Sequence, residues 1–335
     1  MSRIAILGAG AWGTALALSL DRRGSHEIML WAHTPELAQQ IIDAGENAQF
    51  LPGFPIPAPV TVTADRTAIT AADIVVSVIP SEFLRPTLLR IRHCLRIGQF
   101  VVSATKGLEE GTHFRMTQVL SDTLEPAGLL LSIGAFSGPS FAQEVAAGQP
   151  TAVTVAFSDP QVAALVRQEF SSESLRLYTS SDVIGVELGG ALKNVIAIAA
   201  GIAVGVGLGH NSTAALITRG IVEITRLAVA CGARRETLAG LSGIGDLVLT
   251  CTGSLSRNRT VGEALGQGRK LPEILESLGG KVAEGVFTTR AALGLARQHR
   301  IEMPITEQME LILNRGKDPR EVIRALMLRP GKDEQ

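Results

Sequence analysis

The sequence predicts a doubly wound α/β domain over residues 1–180, built on a mostly parallel sheet, joined to an all-α domain over residues 181–335. Three observations predict it. Short, nearly continuous apolar runs recur through the first half with helical patterns between them; strand-like runs stop near Ser180; and a glycine-rich turn separates the first run from the first helical pattern. A strand buried on both faces cannot alternate polar with apolar residues, so continuous runs separated by helices mean a sheet covered on both sides. At roughly 150 residues per domain, a chain of 335 residues holds about two.

In order, Arg3–Leu7 reads as a strand, Trp12–Leu20 as a helix and Glu27–Trp31 as a second strand, which together make a βαβ unit. Further strands follow at Ile74–Ile79, Phe100–Ala104, Leu129–Ile133 and Ala152–Phe157, with helices at Phe83–Leu95 and Pro160–Phe170. Between Leu51 and Pro59, the prolines Pro52, Pro55, Pro57 and Pro59 remove backbone donors, so an extended loop is expected. The second half reads as helices at Val183–Val206, Ser212–Ala230, Thr260–Gly266, Leu271–Ser277, Thr288–Gln298, Thr306–Leu313 and Pro319–Leu328. The last segment, Gly331–Gln335, reads as disordered. The most apolar stretch, Asn194–His210, is only 17 residues long and is interrupted by Gly201, Gly205, Gly207 and Gly209. It is expected as a buried helix of the second domain and not as a stable membrane insertion.

A hydrophobic fraction of 46% with 19% charged residues excludes a disordered chain. The formal net charge is -1, so no global positive field draws nucleic acid or an anionic bilayer, and any anion must be gripped locally. Cys94, Cys231 and Cys251 are odd in number and widely spaced, which fits neither a disulfide framework nor a thiolate metal site. A reduced, cytoplasmic setting is expected. The chain enters its first strand at Arg3 without a cationic leader and cleavage site, so no secretory signal is expected. No metal is expected either, because no His/Asp cluster stands at ligand spacing.

Gly8-Ala9-Gly10-Ala11-Trp12-Gly13 is a G-x-G-x-x-G that closes a strand and opens a helix. In that context Gly8 permits the tight turn, Gly10 lets a pyrophosphate approach the backbone, and Gly13 lets helix and strand pack closely. The helix N-terminus then offers unpaired N–H groups to an anion. The second strand ends Trp31-Ala32-His33-Thr34, with no carboxylate before Glu36. NAD-specific versions of this turn place an acidic residue there for the ribose hydroxyls, and an uncharged tip with His33 beside it does not repel a 2'-phosphate. The cofactor is therefore NADP or NAD, with NADPH accepted and the preference open; His33 reads equally as a solvated loop residue.

Four other segments carry polar groups with chemical potential. Lys106 follows a strand at the carboxyl edge of the sheet, where open α/β folds bind ligands, although a surface lysine is the plain alternative. Ser140, in Gly138-Pro139-Ser140, is placed to cap a following helix, and its neighbouring amides are placed to meet a ligand. Lys193 is the first charge after Glu187 in an otherwise apolar helix, so it either snorkels to water or is held desolvated for chemistry. Last, the stretch Gly243–Thr250 with Ser256-Arg257-Asn258-Arg259 brings a carboxylate, hydroxyls, an amide and guanidinium forks into one connection. Arginine suits phosphate because its planar donors bind two oxygens at once, while Arg259 also reads as solvated charge.

Taken together, GAGAWGTALA from Gly8, ATKGLE from Ala104, SGPSFAQEVAAG from Ser137 and GVELGGALKNVIAIAAG from Gly185 resemble the bacterial-type NAD(P)-dependent glycerol-3-phosphate dehydrogenases. GDLVLTC from Gly245, SRNR from Ser256, VAEGV from Val282 and EMPIT from Glu302 extend the resemblance nearly end to end. It implies a Rossmann domain followed by a helical domain like the C-terminal part of 6-phosphogluconate dehydrogenase, and a homodimer, with the Gly-rich apolar helix as a packing surface. It implies Lys193 as general acid/base, with Lys106 and Asp246 completing the catalytic cluster. Arg257 and Asn258 would hold the substrate phosphate, with Gly138, Ser140, Asn194, Thr250 and Ser256 lining the site. Trp12, His33, Lys106, Ala142, Arg257, Val282 and Glu284 match cofactor-contacting positions, alongside Gly8, Gly10 and Gly13. Ala11 stands where many relatives carry Ser or Asn, so only backbone donors meet the cofactor phosphates there.

The reaction so implied is reversible reduction of dihydroxyacetone phosphate, a phosphorylated triose, to sn-glycerol 3-phosphate, the backbone precursor of glycerophospholipids. An ammonium at Lys193 neutralises and protonates the carbonyl oxygen as charge builds on it. Lys106 and burial push the Lys193 pKa down while Asp246 opposes them. Two other readings stand beside it: a related hydroxy-acid dehydrogenase, whose arginine would face a carboxylate, and a non-catalytic NADPH-binding redox sensor, which requires neither Lys193 nor Arg257.

Overall fold

The structure, a computed structural model, describes residues 2–331 and 333. Of the segment read as a disordered end, Lys332, Glu334 and Gln335 lie outside the described residues. The chain opens β1 (Ser2–Leu7), α1 (Ala11–Asp21), β2 (His26–Trp31) and α2 (Pro35–Ala44), which is the βαβ unit with a second helix behind it. Next come β3 (Glu46–Asn47), β4 (Leu51–Pro55), β5 (Val60–Thr63), β6 (Ile74–Ser77) and α3 (Ser81–Ile91). β7 (Phe100–Ser103), α4 (Met116–Leu124), β8 (Ser132–Ser137), α5 (Ala142–Ala146), β9 (Thr151–Ala156), α6 (Pro160–Phe170) and β10 (Leu175–Ser180) complete the α/β half.

One sheet runs in the order β10-β9-β8-β7-β6-β1-β2-β5. Every neighbouring pair is parallel except β8 and β9, where Ala135 faces Ala156 and Ser137 faces Thr154 in antiparallel register. Central strands bury both faces as their runs require: Ile4, Ile6, Val76 and Val102 face one apolar layer, and Ala5, Leu7, Val75 and Val101 face the other.

Three expectations of the α/β half need correction. Leu51–Pro55 is not a loop but a strand, paired with Glu46–Asn47 in a two-stranded antiparallel ribbon. Prolines are tolerated there because an isolated ribbon has open edges that need no donor. The strand expected at Leu129–Ile133 lies at Ser132–Ser137 instead, and Leu130 is exposed to solvent. Its small polar residues hid it: a Cβ at Gly134 would stand 2.5 Å from the Ala156 carbonyl oxygen, so only the smallest residue fits between β8 and β9. The strands β5 and β10 and the helices α2 and α4 lie outside the sequence expectations, whereas the helix expected after Ser140 is α5. Both strands are sheet edges, open to water on one side, and so lack the continuous apolar signature.

After Ser180 the described residues form no strand. α7 (Val183–Gly205), α8 (His210–Ala230) and the short α9 (Arg235–Leu238) lead into a π-helical turn at Leu241–Gly245. α10 (Asp246–Thr252), α11 (Arg257–Gly266), α12 (Leu271–Ser277), α13 (Glu284–His299), α14 (Pro304–Arg315) and α15 (Pro319–Met327) follow. α7 is the axis of this half. It is long and apolar enough to cross a membrane, yet 89% of its most apolar window is buried inside the protein. Its remaining faces also reach the sheet, where Val186 packs against Ala135 and Ala156. Of the stretch Asn194–His210 expected as one buried helix, only the part up to Gly205 belongs to α7; Gly207, Leu208, Gly209 and His210 are exposed, and His210 opens α8.

The Gly-rich face of α7, expected as a surface for a second subunit, is instead covered by α11. A Cβ at Gly201 would overlap the Arg259 carbonyl oxygen, and one at Gly262 would overlap that of Ile198. The two backbones touch, and neither residue has room for a side chain. Gly262→Ala is therefore expected to force the helices apart and lower unfolding free energy by about 1–3 kcal/mol. A urea titration followed by circular dichroism measures it; an unchanged midpoint would contradict the close approach.

Candidate active site

The turn between β1 and α1 has the division of labour its glycines require. Gly8 adopts φ 122°, left of the range an L side chain accepts, and a Cβ there would sit 3.0 Å from the Val78 carbonyl oxygen. A Cβ on Gly13 would overlap the Gly8 carbonyl oxygen, so helix and turn are packed backbone to backbone. Gly10 differs: it has open space around it and caps α1 without any side-chain hydrogen bond. The first amides of α1 are thus left unpaired at a place where a bulky anion can approach, which is the fit a dinucleotide pyrophosphate needs.

A residue that the sequence reading missed stiffens this turn. Buried Asn47, on β3, donates from Nδ2 to the Ala9 carbonyl (2.9 Å) and to Thr14 Oγ1 (2.8 Å). Nothing local marks it, because it acts across a stretch of 38 residues. Trp12 is half-buried against Phe136, with ring centroids 6.1 Å apart, and its indole nitrogen has no partner. Ala142, the first residue of α5, packs beside Trp12 and Ala11. His33 lies exposed just past the end of β2, and the next residue, Thr34, caps α2 with its hydroxyl.

From the glycine turn the structure leads directly to the lysines. Val78, against which Gly8 packs, leads to Ile79, whose carbonyl accepts from Thr105 Oγ1 at 2.6 Å, and Lys106 follows. Lys106 emerges past the carboxyl end of β7 and is not a free surface lysine. Its Nζ donates to the Gly138 carbonyl (3.0 Å) and to Asp246 Oδ2 (2.7 Å). The other oxygen of Asp246 takes a short hydrogen bond from Lys193 Nζ, which also donates to Thr250 Oγ1 at 2.7 Å. Thr250 Oγ1 in turn donates to the Asp246 carbonyl at 2.7 Å, which fixes its lone pairs toward the lysine. Lys193 is only 5% exposed, so of its two readings the desolvated one holds.

Burial is the largest influence on Lys193 and lowers its pKa; the Lys106 charge lowers it further, while Asp246 raises it, and the result is about 8. The amine therefore exchanges its proton near neutral pH, as an acid/base catalyst must. Glu284 opens α13 within the field of Arg257, Lys106 and Lys193, and burial pushes its carboxyl up to about 7.

The residues expected to meet an anion are grouped at the start of α11. Ser256 caps it, its Oγ accepting from the Arg259 amide at 3.2 Å, so Arg257 and Asn258 lie in the first turn at the positive end of the helix. Arg257 is exposed and makes no hydrogen bond among the described residues, whereas Asn258 is buried with Oδ1 accepting from the Gly285 amide at 3.0 Å. Asn194 Nδ2 reaches the Lys106 carbonyl at 3.5 Å, and Val282 stands half-buried just before α13. Arg259 lies within α11, half-buried and paired with Glu263 at 3.5 Å, so it is not the solvated loop charge expected. Ser140 needs correction: α5 starts at Ala142 with Phe141 in the cap position, and Ser140 Oγ donates instead to the Gly138 carbonyl at 3.1 Å. No group of three or more His, Cys, Asp and Glu stands ready for a metal ion among the described residues.

A dinucleotide turn facing a buried, carboxylate-paired lysine supplied by an all-helical half defines the two-domain nicotinamide-dependent dehydrogenases. Within that class, the profile for the N-terminus of NAD-dependent glycerol-3-phosphate dehydrogenase matches residues 3–163 and that for its C-terminus residues 182–324, and the chain belongs to this family. It is 59% identical to a glycerol-3-phosphate dehydrogenase [NAD(P)+] of Acidobacterium capsulatum, with 100% of both chains covered. It is 56% identical to the same-named protein of Koribacter versatilis, over 100% of this chain and 99% of the relative. Among solved structures, glycerol-3-phosphate dehydrogenase from Coxiella burnetii superposes with a TM-score of 0.93 at 39% identity, covering 98% of this chain and 99% of that one.

Asp246→Asn keeps the shape and removes the charge that holds the Lys193 proton on. The Lys193 pKa is expected to fall below its present value of about 8. Nuclear magnetic resonance of lysine labelled at its side-chain carbon reads this directly, and an unmoved or raised titration would refute the pairing.

Proposed function

We propose that this chain reduces dihydroxyacetone phosphate reversibly to sn-glycerol 3-phosphate with NADPH or NADH, using residues 1–180 for the dinucleotide and 181–335 for the triose phosphate. The observation that carries this reading is the shared carboxylate of Asp246, which draws Lys106 from one half and Lys193 from the other to a single point.

The amides at Gly10 and the start of α1 hold the pyrophosphate, with Gly8 and Gly13 shaping the turn, and Trp12, Ala142, Val282 and Glu284 flank the remainder. His33 at the β2 tip accepts a 2'-phosphate without repulsion. When bound, the reduced nicotinamide supplies a hydride equivalent to the ketone carbon. Arg257, Asn258 and the α11 N-terminus take the substrate phosphate, since a guanidinium fork and free helix amides both match its oxygens. Gly138, Ser140, Asn194, Thr250 and Ser256 line the remaining wall. Lys193, as an ammonium, neutralises the carbonyl oxygen as negative charge grows there and delivers its proton to it. In the reverse direction the neutral amine removes the hydroxyl proton. Asp246 and Lys106 hold that amine in place and set how readily it gives up its proton.

The product, sn-glycerol 3-phosphate, serves as the backbone of glycerophospholipids, and a cytoplasmic homodimer is the assembly we infer from the family. A hydroxy-acid dehydrogenase and a non-catalytic redox sensor are the competing readings. Loss of reduced-nicotinamide absorbance on adding dihydroxyacetone phosphate removes the sensor, while activity with a phosphate-free hydroxy-acid pair and none with the triose phosphate would favour the former.

Two outcomes test the role of the lysine. Lys193→Ala should bind cofactor normally, seen by its fluorescence, and lose turnover by about a hundredfold or more; parental turnover would end the assignment. With Lys193 titrating at about 8, kcat/KM for glycerol 3-phosphate oxidation should rise with pH through that value, because the base must be neutral. Reduction should show the opposite sign and decline above it.

A further inference from the structure

We infer that Glu187 is a positioning residue: it clamps the segment between β7 and α4 onto α7 and thereby sets the separation of Lys106 and Lys193. The inference rests on the roles given to those lysines above. Glu187 lies under two turns ahead of Lys193 on the same helix and is only 9% exposed. Its carboxylate turns away from the catalytic cluster, toward the α/β half. There Oε1 accepts from the Thr117 amide at 2.8 Å, and Oε2 accepts from Thr117 Oγ1 at 2.6 Å and from the Arg115 guanidinium. Both partners sit at the start of α4, so the carboxylate also satisfies an amide that the helix leaves open.

The same few residues close the loop that carries Lys106. Arg115 pairs with Leu108 through an isolated β-bridge, and the Glu109 amide donates to the Phe114 carbonyl at 2.9 Å. Leu108, two residues beyond Lys106, is itself buried in the core of the helical half. A line of rigid contacts therefore runs from Glu187 through Arg115 and Leu108 to Lys106, while α7 runs from Glu187 to Lys193. The two paths meet again at Asp246, so Glu187 and Asp246 are two rungs joining the same pair of rails.

Two other buried carboxylates provide the comparison that separates positioning from ordinary stabilisation. Glu223 accepts from the Ile305 amide at 2.8 Å, the Thr306 amide at 2.9 Å and Thr306 Oγ1 at 2.6 Å, which is the same bonding pattern on α14 and away from the Lys106 loop. Asp182 likewise serves α7 and Arg234, at 2.9 Å and 2.8 Å. A substitution at Glu223 lowers stability as one at Glu187 does, but has no path to Lys106.

The experiment compares Glu187→Gln with Glu223→Gln, reading the pH dependence of kcat/KM for glycerol 3-phosphate oxidation together with thermal unfolding. Lys193 is faced by Asp246 and Cys251 from α10, by Lys106 from the loop, and by Glu284 from α13. Letting Lys106 drift removes a repelling charge and frees Asp246 for Lys193, and both changes favour the ammonium. The midpoint should move up by roughly half a unit or more in Glu187→Gln, with the parental value in Glu223→Gln. If both variants lose stability and both keep the parental midpoint, Glu187 is a structural cap alone and the inference is overturned. Should Glu187→Gln fail to fold, Thr117→Val removes one donor from the α4 side and is read by the same criterion. Parental turnover in Lys193→Ala would instead overturn the lysine assignment itself, which the Glu187 comparison does not touch.

Discussion

One buried carboxylate organises this molecule. Asp246 has no exposed surface, and it is shared between an ammonium from the sheet's edge and another from the helical half. A carboxylate in such a place is tolerated only when fully paired, and each lysine is tolerated for the same reason. Two cations against one anion leave a residual positive charge in the cluster. That imbalance suits a phosphorylated ketone whose oxygen becomes negative as it reacts, and it keeps the deeper amine close to giving up its proton.

The residues proposed to carry the chemistry were mostly readable in the chain because their constraints are local. Gly8, Gly10 and Gly13 have fixed jobs within six residues: Gly8 and Gly13 sit against backbone with no room for a side chain, and Gly10 has open space beside it. Lys193 stood out as the first charge after Glu187 in an otherwise apolar helix, and Lys106 by its place just after a strand. What escaped depends on partners distant in sequence. Asn47 braces the glycine turn across the α/β half, and Glu187 looks like any helix-borne acid until α4 is seen beside it. Ser140 misled because a hydroxyl two residues ahead of a helix has the composition of a cap, whereas its hydroxyl turned to the Gly138 carbonyl.

The same distinction holds for the fold. Central strands declared themselves because both faces are dry, and the long helices because their apolar residues repeat at helical spacing. Edge strands β5 and β10 carry half the signal, and β8 is disguised by the serines and glycine that let it lie against β9. The Gly-rich helix shows how composition underdetermines a partner. Its bare face calls for close approach by another helix, and α11 of the same chain answers before a second subunit can.

The reversal of direction between β8 and β9 has a topological result. Because β9 and β10 run against the other strands, the chain leaves the sheet at Ser180 on the side opposite the glycine turn. α7 must then climb the full height of the sheet, passing Ala135 with Val186 and Ser137 with Gly190 before it clears the rim. Lys193 follows on the same helix, less than one turn past Gly190 and still buried. The two-strand turnabout thus sets where α7 begins, so that Lys193 meets Asp246 from a helix that has first crossed the sheet.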